Sequence, residues 1–409
     1  MKKLFRTILL LSVISLLAAC ERDYQYETYN ECITIEATDV TRTSAKLYLY
    51  LGYSSSGGAY YNSKKFFKVS DNIDFQNAQT FEAERAYDYV YDSDYWYFSY
   101  EVKDLKPNTR YYYYAFVQSN NGVNEVRGET MSFTTKPLNI PTGAAKGLFS
   151  VSSTKQVFFA KGNLQYQAST GTWRFAENQY DYIGDGNLNV SATYSGWIDL
   201  FGFGTSGYNG RYPYNTWDDD TEPYGNPNGD LDGTNYDWGV YNAISNGGNQ
   251  KGLWRTMSKS ECNYLFTKRT NASQLYGQAQ IAGTNGLIIL PDDWVTPTGI
   301  SFNSGIQYYT TNTYTLDQWA KMEQAGAVFL PAAGGRCFRF NSQYSGYNDI
   351  EMRDVNVEGY YRLSTVNWYN NKPSMGYIFN FMNNDGSLGG SNYGSMEMAW
   401  SVRLIRNDQ

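Results

Sequence analysis

Residues 105–117 read Leu-Lys-Pro-Asn-Thr-Arg-Tyr-Tyr-Tyr-Tyr-Ala-Phe-Val. Proline and asparagine make a turn. The turn feeds a run in which Tyr111, Tyr113, Ala115 and Val117 alternate with their neighbours, the period of two that marks a half-buried strand. Ala45, Leu47, Leu49 and Leu51 alternate in the same way with Lys46, Tyr48 and Tyr50. From Cys32 to Pro137 such runs are short and turn-bounded, so residues 32–136 are expected to form an all-β sandwich.

The chain has 409 residues, more than the ~100–200 of one domain, so at least one further unit follows. With 42% hydrophobic and 18% charged residues it can bury real cores. Tyrosine dominates the aromatics, 40 against 21 Phe and 10 Trp, and it is the ring that suits half-wet strands and binding surfaces. Histidine is absent, which removes Ser-His-Asp and Cys-His catalysis and imidazole-ligated zinc. A net charge of -7 lacks the basic footprint of a nucleic-acid binder, and no nucleic-acid partner is expected.

Lys2, Lys3 and Arg6 precede an apolar run from Ile8 to Leu17, the layout of a signal peptide over residues 1–19. That run is too short for a permanent membrane span. Leu17-Ala18-Ala19-Cys20 resembles the lipobox of bacterial lipoproteins, which implies a lipidated Cys20 and anchoring to a membrane by acyl chains. The acidic tether at residues 20–31 resembles the surface-export signal of some Gram-negative lipoproteins, which implies an outer-membrane anchor facing outward. Cys32, Cys262 and Cys337 lack metal-type spacing. Buried free thiols are expected, with a Cys262–Cys337 bridge left open.

Residues 137–147, rich in proline and glycine at their start, are expected to be a linker, and residues 148–409 a second domain. Ser258-Lys259-Ser260-Glu261 and Thr315-Leu316-Asp317-Gln318 are capping boxes, each opening a short helix, and Gly326 can close the second. Leu287–Pro291 and Ala327–Pro331 are apolar runs stopped by proline and read as strands. Two short helices among strands and long loops give an α+β domain.

Several motifs carry resemblances. The turn before Tyr111 is similar to the tyrosine corner of immunoglobulin-like sandwiches. With Thr43–Leu47 and Gly128–Thr135 it makes the first domain resemble a fibronectin type III module, a spacer in most contexts, from which the Tyr-rich stretch 52–100 departs. Trp254–Leu265 resembles the helix motif of the formylglycine-generating-enzyme family, whose fold is C-type-lectin-like. Gly359–Thr365, Ala399–Leu404, Gly162–Tyr166, Trp173–Ala176 and Asp237–Ile244 are similar to blocks of a related group, the "major paralogous domain" surface proteins. The enzyme depends on a cysteine pair that holds copper. Here Cys262 stands where the motif has tryptophan and Cys337 stands alone, so catalysis does not carry over.

In C-type-lectin-like domains the late loops build the ligand surface. The resemblance therefore places ligand contacts at Tyr361, Arg362, Asn367, Trp368, Tyr369, Asn370, Asn371, Tyr377, Asn380, Asn383, Asn384, Asp385, Asn392 and Tyr393. Tyr and Asn are also what paratopes use. The same region resembles the variable segment of proteins diversified by retroelements. A loop from Asn226 to Asp237 alternates Asp and Asn with Gly, as oxygen-donor cation loops do, which makes Asp230, Asp232, Asn235 and Asp237 candidate calcium ligands; the reading favoured over it is a solvated acidic loop with no cofactor. The function expected is a non-catalytic surface receptor or adhesin for an extracellular glycan or protein. The alternatives are an enzyme of the modifying-factor kind or a glycan-active protein, for which Glu351, Asp354 and Glu358 supply carboxylates, and a pilus-associated subunit.

Overall fold

The computed structural model describes residues 32–51, 63–86, 96–118, 125–215, 224–341 and 346–408. The expected signal peptide, the expected tether with Cys20, and Asp218–Asp220 lie outside them. The chain divides into two compact units, Met1–Asn139 and Ile140–Gln409. Among the described residues strand accounts for 42% and helix for 11%, so the fold is mainly β.

In the first unit the strands are β1 (Cys32–Thr38), β2 (Ala45–Leu51), β3 (Lys64–Ser70), β4 (Gln79–Glu82), β5 (Glu84–Arg85), β6 (Trp96–Val102), β7 (Arg110–Gln118), β8 (Glu125–Arg127) and β9 (Met131–Thr134). One sheet runs β1-β2-β6-β5; the other runs β4-β3-β7-β8, with β9 also on β7. The alternation seen in the sequence is what fills the space between them. Ala45, Leu47 and Leu49 meet Tyr111, Tyr113, Ala115 and Val117 in one buried cluster with Phe67, Val69 and Phe98. Each large apolar side chain so buried stabilises by roughly 1.5–3 kcal/mol. The corner forms: Tyr111 Oη accepts the Lys106 amide at 2.9 Å. Tyr113 Oη donates to the Ile35 carbonyl of the facing sheet at 2.7 Å.

The second unit holds β10 (Phe149–Ser150), β11 (Gln156–Phe159), β12 (Leu164–Gln167), β13 (Thr172–Phe175), β14 (Leu200–Phe201), α1 (Trp238–Tyr241), α2 (Lys259–Thr267), β15 (Tyr276–Ile281), β16 (Thr284–Ile289), β17 (Thr313–Tyr314), α3 (Leu316–Gln324), β18 (Val328–Pro331), β19 (Gly335–Asn341), β20 (Gly346–Arg353), β21 (Glu358–Tyr369), β22 (Lys372–Met382), β23 (Asp385–Ser395), β24 (Trp400–Ser401) and β25 (Ile405–Asn407). Its two larger sheets run β14-β24-β21-β22-β23 and β17-β15-β16-β18. Both capping boxes are formed, Ser258 with Glu261 and Thr315 with Gln318. Gly326 takes φ +97 and its amide bonds the Glu323 carbonyl, ending α3. The apolar run at 287–291 contributes residues to β16 and the one at 327–331 to β18, and the two strands pair with Ile288 opposite Phe329.

Long stretches of this unit have no regular structure, and buried arginines hold them. Arg403 donates to the carbonyls of Ala160 and Phe329 at 3.0 and 2.9 Å, and Arg336 to that of Asn187 at 3.0 Å. Burial pushes both guanidinium groups down to about 10.

Two expectations are corrected, and the expected free thiols are found. Gly143–Ala145 are not linker: Lys161 N bonds the Gly143 carbonyl and Ala145 N the Phe159 carbonyl, so the second unit begins before residue 148. Cys32, Cys262 and Cys337 are free thiols, so no Cys262–Cys337 bridge forms. The supposed late loops are three long strands, β21 to β23, joined by two tight turns. Asn370, Asn371 and Asn384 take φ of +47, +59 and +56, a conformation asparagine tolerates better than most residues.

Candidate ligand-binding surface

The β21–β22 hairpin turns on Asn370-Asn371, which sets Trp368 opposite Pro373 and Tyr369 opposite Lys372. Left-handed φ at both central positions gives the turn that matches strand twist. Trp368 and Tyr369 remain 51% and 69% exposed. Tyr377 pairs with Tyr393 across β22 and β23, edge to face with ring centroids 5.7 Å apart. Tyr393 is 51% exposed, and the Lys259 ammonium sits 3.7 Å from the centre of the Tyr377 ring. Asn367 lies one register position beyond Val366, whose partner Gly376 adjoins Tyr377. Five of the expected contacts, Asn367, Trp368, Tyr369, Asn370 and Asn371, therefore share one end of the sheet, while Tyr377 and Tyr393 pair at the middle of β22, about 17 Å along it at ~3.3 Å per strand residue.

The acidic loop reaches the same end. Leu231 N donates to the Ser364 carbonyl at 2.8 Å, and Val366 N donates to Asp230 Oδ1 at 2.9 Å. Gly229, at φ +133, lies under the indole: a Cβ there would stand 3.1 Å from the Trp368 ring. The loop is thus an edge cover for β21 and a seat for Trp368. The Asp237 side chain is fully buried and caps α1, with Oδ1 accepting Gly239 N at 3.0 Å and Oδ2 accepting Thr256 N at 2.8 Å. Burial pushes its carboxyl up to about 6, against the pull of those amides. Asp237 is corrected from calcium ligand to helix cap. The Asn235 carbonyl accepts from Ser206 Oγ at 2.7 Å. Among the described residues no group of three or more His, Cys, Asp or Glu side chains is placed to hold a metal ion.

Tyr361 and Arg362 are also corrected, being 1% and 2% exposed. Tyr361 stacks on Phe379 and its Oη donates to the Pro331 carbonyl at 2.9 Å. Arg362 lies 4.2 Å from the Trp400 ring centre and donates to the carbonyls of Ser395, Met396 and Met398. Burial lowers its pKa to about 9. Both side chains hold the sheet and are shielded from any ligand.

The remaining candidates lie away from the tip. Asn392 Nδ2 donates to Asn380 Oδ1 at 2.8 Å and Asn380 Nδ2 to Glu358 Oε1 at 2.7 Å, a ladder across three strands. Asn383 Oδ1 accepts the Tyr309 amide, Asn384 N bonds the Gln307 carbonyl, and Asp385 Oδ1 accepts Gly386 N. These three occupy the opposite turn, about 33 Å from Asn371 at ~3.3 Å per strand residue. One small ligand cannot touch both ends. Of the candidate carboxylates, Glu351 pairs with Arg353, Asp354 accepts from Tyr360 Oη at 3.3 Å, and Glu358 holds Asn380.

Sequence reading missed Gly229 and Lys259, which only the folded sheet brings to the rings. It also missed the hairpin itself, although Asn-Asn between two strand-like aromatic runs was the available signal.

No family model matches the sequence, and no curated protein matches it. Among solved structures the chain is similar to the sensor domain of the anti-sigma factor RsgI4 of Pseudobacteroides cellulosolvens, at 19% identity over 26% of this chain and 95% of that one, with a TM-score of 0.20. It is similar also to a fibronectin type III domain of human fibronectin type III domain containing protein 3, at 19% identity over 26% of this chain and 84% of that one, TM-score 0.18. Structural neighbours of this chain thus include fibronectin type III-like domains and a sensor domain.

Proposed function

We propose that this chain is a non-catalytic surface lipoprotein, lipid-anchored through Cys20 in the outer membrane, in which a fibronectin type III-like spacer carries a lectin-like receptor unit. Its ligand is an extracellular glycan or protein, bound at the Asn370-Asn371 end of the five-stranded sheet. The observation that supports the reading is the pair of neighbouring rings Trp368 and Tyr369, both more than half exposed, beside Asn367, Asn370 and Asn371 at the hairpin turn. Clustered exposed rings are unfavourable in water and mark recognition surfaces. Tyrosine and tryptophan supply rigid amphipathic area at low entropic cost, while asparagine adapts its hydrogen bonds. The same pairing suits sugars, whose apolar faces stack on rings and whose hydroxyls meet amides. The long paired strands and the loop under Trp368 pre-organise the tip, which reduces the ordering cost of binding.

The test compares the full-length protein with its Trp368→Ala/Tyr369→Ala double variant on glycan and extracellular-protein panels. Buried aromatic anchors contribute about 2 kcal/mol or more each, so the double variant is expected to lose at least ~30-fold in affinity for any ligand found while melting at the wild-type temperature. Equal binding by the double variant would remove the tip as the site. Chemical turnover of a bound glycan would replace the receptor reading with the enzyme.

A further inference from the structure

A second cleft lies in the first unit, where β7 changes partners. β9 pairs with Arg110–Tyr113 and β8 with Phe116–Gln118, so Tyr114 falls at the interruption. Gly128 joins the two short strands and packs against β1: a Cβ there would stand 2.5 Å from Thr34 Oγ1. The dip leaves a cavity of about 580 Å³ on the outer face, lined by Arg110, Tyr112, Arg127, Met131, Asp74 and Phe75 with their neighbours. That volume falls within the range of small-molecule sites, roughly 300–1,000 Å³.

Two features show the cleft to be held in shape. Phe75 takes φ +55, an uncommon conformation for a bulky residue that persists only where its surroundings enforce it. Its ring meets Tyr114 edge-on at 4.8 Å and its amide bonds the Asn72 carbonyl at 3.0 Å. The guanidinium groups are held without being neutralised. Arg110 lies over Tyr112 at 5.4 Å and donates through Nε and Nη2 to Ser132 Oγ. Arg127 lies over Tyr114 at 4.0 Å and donates through Nη2 to Thr130 Oγ1 at 2.9 Å. Neither forms a salt bridge among the described residues.

Two guanidinium groups and one carboxylate, Asp74, leave the cleft one positive charge in excess. A planar carboxylate suits the guanidinium fork, and a ligand with hydroxyls gives Asp74 something to accept. A poly-acidic peptide would instead set further negative charge against it. We propose that this cleft binds a carboxylated saccharide, its carboxylate bridged by Arg110 and Arg127 and one sugar face resting on Tyr112. The site is independent of the hairpin tip.

Calorimetric titration of the full-length protein with a glucuronate-terminated oligosaccharide, its neutral glucose-terminated counterpart and a hexaglutamate peptide tests the proposal. The glucuronate sugar is expected to bind at least tenfold more tightly than either other probe. Arg110→Gln is expected to weaken it about tenfold, the scale of one charge-assisted hydrogen bond. Arg127→Lys, which keeps the charge and loses the fork, should weaken it less than Arg127→Gln. Trp368→Ala should leave the affinity unchanged. Heat absent with the glucuronate sugar, equal affinity for its neutral counterpart, tighter binding of hexaglutamate, or full affinity in an Arg110→Gln protein of unchanged melting temperature would each overturn the site. Loss of all binding in Trp368→Ala alone would assign the sugar to the hairpin tip instead.

Discussion

Asp237 carries two backbone amides on one buried carboxylate. Its neighbour Trp254 is almost wholly buried and donates through Nε1 to the Gly247 carbonyl at 2.7 Å, so the loop before α2 depends on a few side chains for its hydrogen bonds. Asp237→Ala would leave the Gly239 and Thr256 amides without an acceptor, at about 1–3 kcal/mol for each unmet group. Chemical unfolding of the second unit should therefore move to lower urea by at least 2 kcal/mol of stability. A change under 0.5 kcal/mol would mean that water or a rearranged loop serves those amides. Trp368 is the opposite kind of residue: its ring rests on Gly229 and is otherwise offered to solvent, so its truncation should alter binding and spare the fold.

At the scale of elements, the β21–β22 hairpin shows how turn chemistry positions a surface. Asn371 stands at φ +59, where a β-branched side chain is strained by roughly 1–2 kcal/mol and glycine is at ease. Asn371→Val is expected to speed amide exchange in the outer half of β21 and β22 and to weaken binding at the tip. Asn371→Gly should preserve both properties. Identical exchange in the two variants would show that the loop over β21, and not the turn, sets the register. The helices need less help. Ser258 and Glu261 cap α2 reciprocally, and Arg255 adds a bidentate pair with Glu261 at 2.6 and 2.7 Å.

Across the whole molecule, the second unit buries charge to order chain that has little regular structure. Asp199, fully buried, accepts from Ile183 N and Asn187 Nδ2, and its carboxyl, like that of Asp237, is pushed up to about 6 by burial. Between pH 6 and about 4 these two groups hold protons in the folded state that an ordinary carboxyl in the unfolded chain has released. Stability must therefore rise as pH falls through that window, by about 1.4 kcal/mol per pH unit for each group. The urea midpoint of the second unit should be higher at pH 5 than at pH 6.5, and Asp199→Asn with Asp237→Asn should flatten the difference. A wild-type midpoint that drops on acidification would refute the assignment.

What the sequence determined by itself was local and periodic. Alternation placed β2 and β7, proline and asparagine placed the corner before Tyr111, and serine or threonine three residues ahead of glutamate or glutamine placed α2 and α3. These depend on neighbours a few positions apart, which a sequence displays. Tyr361 is the same residue type as the exposed Tyr369, and only pairing with β22 and β24 decides that it and its neighbour Arg362 lie beneath the surface. Asp237 reads like a cation ligand until the loop folds back on the Thr256 amide. Gly229 meets Trp368, and Lys259 meets Tyr377, across separations of more than a hundred residues. Burial and long-range pairing belong to the assembled sheet, and so the tertiary structure alone decided which of the Asn and Tyr side chains are exposed.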